Sequence, residues 1–512
     1  MGAPTERVTR ALREAAPALD LRAGLRPRGV VTRVADDVAW VAGLDDVGSE
    51  ELVAFDGGAV GMALELGPAL TGVVLLSDAR DITVGQAVTA LHRQPSFPAG
   101  ADALGRVVDP LGAPLDGGAR LADALRPLFR PALEFIERTD VDRPLATGVA
   151  LLDGAVPIGR GQRELIIGDR DTGKTALAVD VVAAQRQGDV TCVYVLVGQP
   201  LSRVQSLRET LEAAGALENT AIVAADASRA PGLQYLAPYA GATLAEALRD
   251  LGGQDVLIVY DDLTKHADVY RELSLLLDRP PGREAYPGDI FYVHAELLER
   301  ASARRSDLGG GSITALPIVE TTESDLSGYI PTNLVSITDG QIYLDPARHE
   351  RNQRPAVDVG RSVSRIGGKA QPPVMRVAAK NLRILLARFE ALESLTRVGL
   401  EVDAATARTI RRGRVLRELM KQPRLTPRRG TDQVVALSAA GQGWLDEVAP
   451  ARAAAVAARA AAAVRASQPA VARALDEGRV PEGDWLATLR AIVGRAAADP
   501  APEGRDAAGG SR

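Results

Sequence analysis

The residues with the clearest chemical meaning are Gly168, Gly173, Lys174 and Thr175, whose spacing fits the phosphate-cradling pattern G-x-x-x-x-G-K-[ST]. Asp169, Arg170, Asp171 and Thr172 lie between them. The glycines permit the backbone turns that aim successive N–H groups inward, and a helix N-terminus adds partial positive charge. Lys174 can reach the outer phosphates of ATP or ADP, and the Thr175 hydroxyl is a natural Mg2+ ligand. A second constellation is the apolar run Val256–Tyr260 ending in Asp261 and Asp262. Beside a phosphate loop, the terminal Asp of such a strand holds magnesium through water, which assigns that role to Asp261 and leaves Asp262 as a helix cap. A third is Gln199, just past the run Val193–Val197. A residue there could face the terminal phosphate, where a carboxylate acts as general base and an amide cannot. Glutamine orients water in some GTPases, so Gln199 alone argues against catalysis without excluding it.

These residues need a sheet to hold them. Glu164–Ile167 reads as a buried strand entering the loop, and the segment after Thr175 has few helix breakers. Further apolar runs at Thr191–Val197, Thr220–Ala225, Val256–Tyr260, Ile313–Val319 and Leu334–Ile337 alternate with helical patterns. That alternation predicts a mostly parallel sheet covered on both faces, with ligands at the carboxyl ends of its strands. Upstream, short β-rich runs between Arg28 and Arg93, separated by Gly and Asp turns, predict a small barrel. A sheet packed on the central domain is the alternative. Leu104–Leu115 reads as strand then turn. Beyond Arg376 the texture turns helical, with Leu382, Leu385, Leu386, Phe389, Leu392 and Leu395 on one face. The Ala/Arg-rich stretch Ala451–Ala474 has high helix propensity and little bulk, and is expected to be a peripheral helix.

The expected organisation is therefore multidomain α/β. It runs as an N-terminal helical arm (1–24), a β-barrel (25–94), a RecA-like nucleotide-binding domain (95–375), a helical domain (376–498) and a disordered tail (499–512). The arm is weakly amphipathic and interrupted by Pro17, better suited to a partner than to a core. A net charge of −6 and only 4% aromatic residues speak against a nucleic-acid binder. The single cysteine, Cys192, sits in an apolar run and reads as core, so no disulfide forms within the chain, which suits a reducing cytoplasm. Neither a signal peptide nor a membrane span is expected, so attachment to a membrane would be indirect.

Several longer motifs carry a resemblance. Gly159-Arg160-Gly161-Gln162-Arg163-Glu164 running into the phosphate loop is very similar to the alpha subunit of F-type ATP synthases. So are Gln234–Tyr239, Tyr260-Asp261-Asp262, Arg279–Glu284, Pro331-Thr332-Asn333 and Ser336–Gln341. The likeness runs from about Arg28 to Gln422. Catalytic beta subunits of the same machine carry a glutamate where this chain has Gln199. The resemblance implies an alternating hexameric ring with catalytic beta subunits around a central rotating shaft, and a peripheral stalk reached through the N-terminal arm. It implies a peripheral location on the cytoplasmic face of the bacterial plasma membrane and a subunit that binds ATP or ADP with Mg2+ but turns it over poorly. Ser362–Gly368 matches the segment bearing an arginine finger, which assigns Arg365 to the neighbouring beta site. By itself Arg365 is an Arg before two glycines, more often a surface charge. Arg354, Pro355, Gln422 and Arg424 fall on the adenine side by the same likeness.

Three departures mark this chain. The segment Arg304–Gly311 is short, His349 stands where Phe is common, and Lys421-Gln422-Pro423-Arg424 replaces a pattern with two glutamines. They are similar to the alternate, often sodium-associated N-type branch. Two other hexameric machines join a barrel to a RecA-like core. A termination-factor-like helicase is opposed by the acidic charge and few aromatics, and a secretion-apparatus export ATPase would need a catalytic glutamate in place of Gln199.

Overall fold

The computed structural model describes residues 28–77, 82–122, 124–397 and 403–499. The N-terminal arm and nearly all of the tail fall outside the described residues.

Six strands, β1 (Arg28–Ala35), β2 (Val38–Ala42), β3 (Leu52–Phe55), β4 (Val60–Leu66), β5 (Leu70–Leu75) and β6 (Ala87–Ala90), close into a barrel in the order β1-β2-β5-β4-β3-β6. Closure removes the free edges that short strands would otherwise expose. Inward residues such as Val31, Val41, Val53, Ala63, Val73 and Val88 form the barrel's own core. The barrel is fastened to the next domain by Arg279, which donates from Nε to Glu65 at 2.7 Å and from a terminal nitrogen to the Leu64 carbonyl at 2.7 Å.

Five short strands follow: β7 (Ser96–Pro98), β8 (Val107–Val108), β9 (Leu125–Pro127), β10 (Pro144–Leu145) and β11 (Ile158–Gly159). β7 pairs with β9 and β10 with β11, while β8 joins the main sheet. That sheet adds β12 (Glu164–Asp169), β13 (Val190–Gln199), β14 (Thr220–Asp226), β15 (Asp255–Asp261), β16 (Ser312–Thr321), β17 (Gly340–Leu344) and β18 (Val363–Ser364). Its order is β18-β17-β12-β16-β15-β13-β14-β8, parallel throughout except for β18 against β17. Alternate residues feed opposite cores. On β13, Cys192, Tyr194 and Leu196 face one layer, and Val193, Val195 and Val197 face the other. Burial pushes the Cys192 thiol up to about 12, which leaves it protonated and unreactive. Under the second layer, Arg300 and Glu246 form a buried pair at 2.7 Å, and Arg300 also donates to Thr243 Oγ1 and the Leu128 carbonyl.

Two expectations are corrected. Leu334–Ile337 is no strand but the end of the helix Tyr329–Ile337, which buries Ile330, Leu334 and Ile337. Those positions recur at helical spacing, and four consecutive apolar-rich residues could not reveal it. The strand comes next, as β17. The Ala-rich stretch is not peripheral either. Helix Pro450–Ser467 buries Ala453, Val456, Ala457, Ala460, Ala461 and Val464, and packs on helices Ala404–Met420, Gly430–Gly441 and Trp485–Ala498. Small side chains let helix axes approach closely, so little bulk here means close packing rather than exposure. The stripe expected downstream of Arg376 lies on helix Leu382–Arg397, where Leu382, Leu386 and Phe389 are buried.

Candidate nucleotide site

The phosphate loop connects β12 to the helix Lys174–Ala184 at the carboxyl end of the sheet. Gly173 caps that helix in the left-handed region at φ 97°, a conformation that costs a side chain about 1–2 kcal/mol. Asp171 also takes a positive φ, of 62°. The loop opens into a cleft of about 760 Å³ lined by Arg170, Asp171, Gly173, Lys174, Thr175, Gln199, Arg203, Asp261, Lys265, Glu320 and Arg424 among others. Most of the residues expected to meet a triphosphate thus line one cleft, from three strand ends and one distant loop.

Lys174 is only 6% exposed, and its ammonium donates to the Gly168 and Asp169 carbonyls at 2.9 and 2.7 Å. Burial lowers its pKa, and the carboxylates of Glu320, Asp262, Asp261 and Asp169 pull it back up. The Asp169 side chain turns away from the loop's mouth: it accepts from Thr321 Oγ1 at 2.6 Å and from the Ser324 amide at 2.9 Å. It therefore fastens the loop to the end of β16.

Thr175 Oγ1 donates to Asp261 Oδ2 at 2.9 Å, and the Tyr194 hydroxyl donates to the same oxygen at 2.9 Å. Burial raises the Asp261 pKa, while these two hydrogen bonds lower it. A hydroxyl and a carboxylate converging beside a phosphate loop are hard oxygen donors of the kind magnesium takes. The residues present therefore fit the ion, which Thr175 and Asp261 would hold between them. Asp262 accepts from the Lys265 amide at 2.8 Å and caps the helix Leu263–Leu276, the role expected of it. Burial, followed by the neighbouring Asp261 and Glu320, lifts its carboxyl to about 7 against that hydrogen bond.

Gln199 lies at the end of β13 with 7% of its surface exposed, on the cleft wall. On the adenine side the structure brings Gln422 against Arg354 and places Arg424, two residues further on, at the cleft. Arg424 lines the cleft, whereas Arg354, Pro355, Gln422 and His349 do not. The Gln422 amide ties its loop to the start of the helix Ala150–Ala155, donating to the Gly148 carbonyl at 2.7 Å and accepting from the Ala150 N–H, and it also donates to the Thr426 carbonyl of its own loop at 2.8 Å. Its main-chain N–H donates to the Arg354 carbonyl at 2.9 Å, so Arg354-Pro355 supports the loop from behind. Arg365 is exposed, just past the edge strand β18 and away from this cleft.

Sequence reasoning missed Glu320, whose carboxylate lies 3.7 Å from Lys174 Nζ, as well as Tyr194 and Arg203. Glu320 directly follows the run Ile313–Val319, so the strand-end rule already pointed to it. Tyr194 and Arg203 carry no such signal.

A closed barrel, a parallel sheet with a phosphate loop at its carboxyl end and a helical domain together define a RecA-like nucleotide-binding protein. The chain belongs to the ATP synthase alpha/beta family. The family's beta-barrel domain matches residues 26–92, its nucleotide-binding domain residues 148–364 and its C-terminal domain residues 371–496. The chain is 54% identical over 424 residues to ATP synthase subunit alpha 2 of Burkholderia thailandensis, covering 82% of this chain and 76% of that protein. It is 51% identical to subunit alpha 2 of Burkholderia mallei over 465 residues, which is 91% of this chain and 69% of the relative. Subunit alpha 1 of Paraburkholderia xenovorans is 51% identical over 424 residues, with 83% of each chain covered. These relatives place the chain on the alpha side of the family.

Proposed function

We propose that this chain is the nucleotide-holding, non-catalytic alpha subunit of a rotary, ion-translocating ATP synthase, working within a complex that couples ATP synthesis or hydrolysis to ion transport. The observation that carries this reading is Gln199 on the wall of an otherwise complete phosphate cleft. Lys174 and the loop amides hold the phosphates, Thr175 and Asp261 hold magnesium, and no side chain at the end of β13 can take a proton from water. When bound there, magnesium would neutralise phosphate charge. The cleft thus binds ATP or ADP and keeps it.

Membership of the family supports the following partners. Catalytic beta subunits alternate with this one in a six-membered ring around a rotating shaft, and the arm before Arg28 meets the peripheral stalk. Attachment to the cytoplasmic face of the plasma membrane runs through other subunits, in keeping with the absence among the described residues of any helix long and apolar enough to cross a bilayer. Nucleic acid has no part in this reading. The altered adenine side and the short Arg304–Gly311 segment favour the N-type branch. Arg365 reaches into the neighbouring beta site.

The purified chain is expected to bind Mg-ATP with negligible turnover, measured by equilibrium binding and steady-state phosphate release. Turnover of several per second without a partner would overturn the reading, and loss of it in Glu320→Gln would then identify Glu320 as the base.

Base selectivity gives a second expectation. Arg424 is a cation where a glutamine could accept a hydrogen bond from the adenine amino group. Arg424→Gln should therefore raise the preference for ATP over GTP by about 2–10-fold, the worth of one net hydrogen bond. His349→Phe should leave it unchanged, since His349 stands outside the cleft. Competition binding of the two nucleotides measures both variants. An unaltered ratio in Arg424→Gln would remove Arg424 from base recognition.

A further inference from the structure

Glu164 opens the strand that leads into the phosphate loop, yet it has no exposed surface and no part in the nucleotide cleft. Its Oε2 accepts from Gln162 Nε2 at 2.7 Å, and its Oε1 is buried without a hydrogen-bond partner. A buried polar atom left so costs about 1–3 kcal/mol, and a leucine of similar size would fill the space without that cost. The position therefore asks for an explanation beyond packing.

The explanation lies across the sheet. Glu164 pairs with Gly340 on β17, and Gly340 pairs with Ser364 on β18, so the three stand in one row. A Cβ on Gly340 would come within 2.5 Å of the Glu164 carboxylate, so the glycine keeps the row open. Through that opening Gln162 Nε2 reaches both Glu164 and Ser364 Oγ, the latter at 3.0 Å. Ser364 in turn donates to the Pro157 carbonyl at 2.6 Å and accepts from the Gly367 amide at 3.2 Å, closing the turn around Arg365. The Arg365 amide is tied to the Asp339 carbonyl at 3.0 Å. Among the described residues its guanidinium, by contrast, has only carbonyl contacts of 3.4 Å, to Thr338 and Val335. Where that guanidinium points is set by the backbone turn beneath it.

We propose that Glu164 is a positioning residue for Arg365, acting through Gln162 and Ser364 to fix the turn from which the guanidinium leaves the sheet. This rests on the reading of Arg365 as the group supplied to the neighbouring site. The charges agree with the geometry: burial drives the Glu164 carboxyl well above its usual range, Asp339 adds to the rise, and Arg365 opposes it. Among the described residues Glu164 and Arg365 form no ion pair, so the carboxyl steadies the turn without capturing the arginine. Because β12 carries Glu164 at one end and Gly168 near the other, the same strand serves the chain's own nucleotide and the arginine meant for its neighbour.

The test uses the complex co-expressed with its neighbouring subunits. Glu164→Leu keeps volume and removes the acceptor, Glu164→Gln keeps both, and Ser364→Ala cuts the connection at its other end. Misplacing a transition-state group by about 1 Å can cost on the order of 100-fold. Glu164→Leu and Ser364→Ala are expected to lower kcat by about 10–100-fold, with KM and Mg-ATP binding by this chain unchanged. Glu164→Gln should restore most of the loss. In an Arg365→Ala background, Glu164→Leu should cost nothing more, since both act through one group. If Glu164→Leu fails to assemble, Ser364→Ala decides alone. Wild-type kcat in Ser364→Ala, or losses that multiply in the Arg365→Ala background, would overturn the proposal. Wild-type turnover in Arg365→Ala itself would instead refute the arginine reading, and the proposal with it.

Discussion

Replacing Arg365 with alanine is expected to cut turnover of the assembled complex by about 10³–10⁵, the range measured for arginine fingers supplied in trans. That is about 4–7 kcal/mol of transition-state stabilisation from one side chain. The structure leaves Arg365 suited to act outside its own chain. It is exposed at a sheet edge, remote from the Lys174 cleft, and among the described residues no carboxylate forms an ion pair with it. A guanidinium so placed develops its full value only where a partner excludes water and phosphoryl charge builds up. The isolated Arg365→Ala chain should therefore fold and bind Mg-ATP as the wild type does. Arg365→Lys should recover little, because an ammonium lacks the planar fork that meets two phosphoryl oxygens at once. Steady-state hydrolysis by the reconstituted complex measures all three. Retention of most activity in Arg365→Ala would remove the role.

How much of this could be read beforehand differed residue by residue, for physical reasons. Gly168, Gly173, Lys174 and Thr175 were legible because a phosphate loop needs its glycines and cation at fixed offsets along one segment. Asp261 followed from a weaker rule, that strand carboxyl ends meet the ligand, and Glu320 was overlooked although the same rule points to it. Tyr194 was hidden, since a tyrosine within an apolar run looks like core until its hydroxyl is seen on Asp261. Arg365 had no local signal at all; only likeness to a family singled it out. The adenine side was legible through likeness alone: Arg354, Pro355, Gln422 and Arg424 lie in two distant segments that folding joins through the Gln422 N–H and the Arg354 carbonyl, with Arg424 on the cleft wall. Among the elements, the errors fell where pattern and burial part company. Leu334–Ile337 was too short to reveal its period, and the alanines of Pro450–Ser467 are buried because they are small.

Lys174→Met should weaken Mg-ATP binding by this chain by about 1.5–3 kcal/mol, the worth of a charge-assisted hydrogen bond to phosphate, which is roughly 10–150-fold in Kd. Methionine keeps the packing of a residue that is almost wholly buried and removes only the charge. In the structure the ammonium rests on the Gly168 and Asp169 carbonyls and stands 3.7 Å from Glu320. A triphosphate must compete for it with those groups, so part of its gross attraction is offset by contacts within the chain. This sets the estimate near one net charged contact rather than the larger value of a bare ammonium meeting phosphate. The same burial gives the prediction a second readout. Lys174 is desolvated, and burial lowers its pKa, so the charged form is a strain on the unliganded fold. Losing it should leave the unliganded melting temperature unchanged or higher, while the stabilisation added by saturating Mg-ATP shrinks with the affinity. A variant that merely damaged the loop would lower both. Calorimetric titration and thermal melts with and without nucleotide separate the two outcomes, and an unchanged Kd would mean that the loop amides and the helix N-terminus hold the phosphates without the lysine.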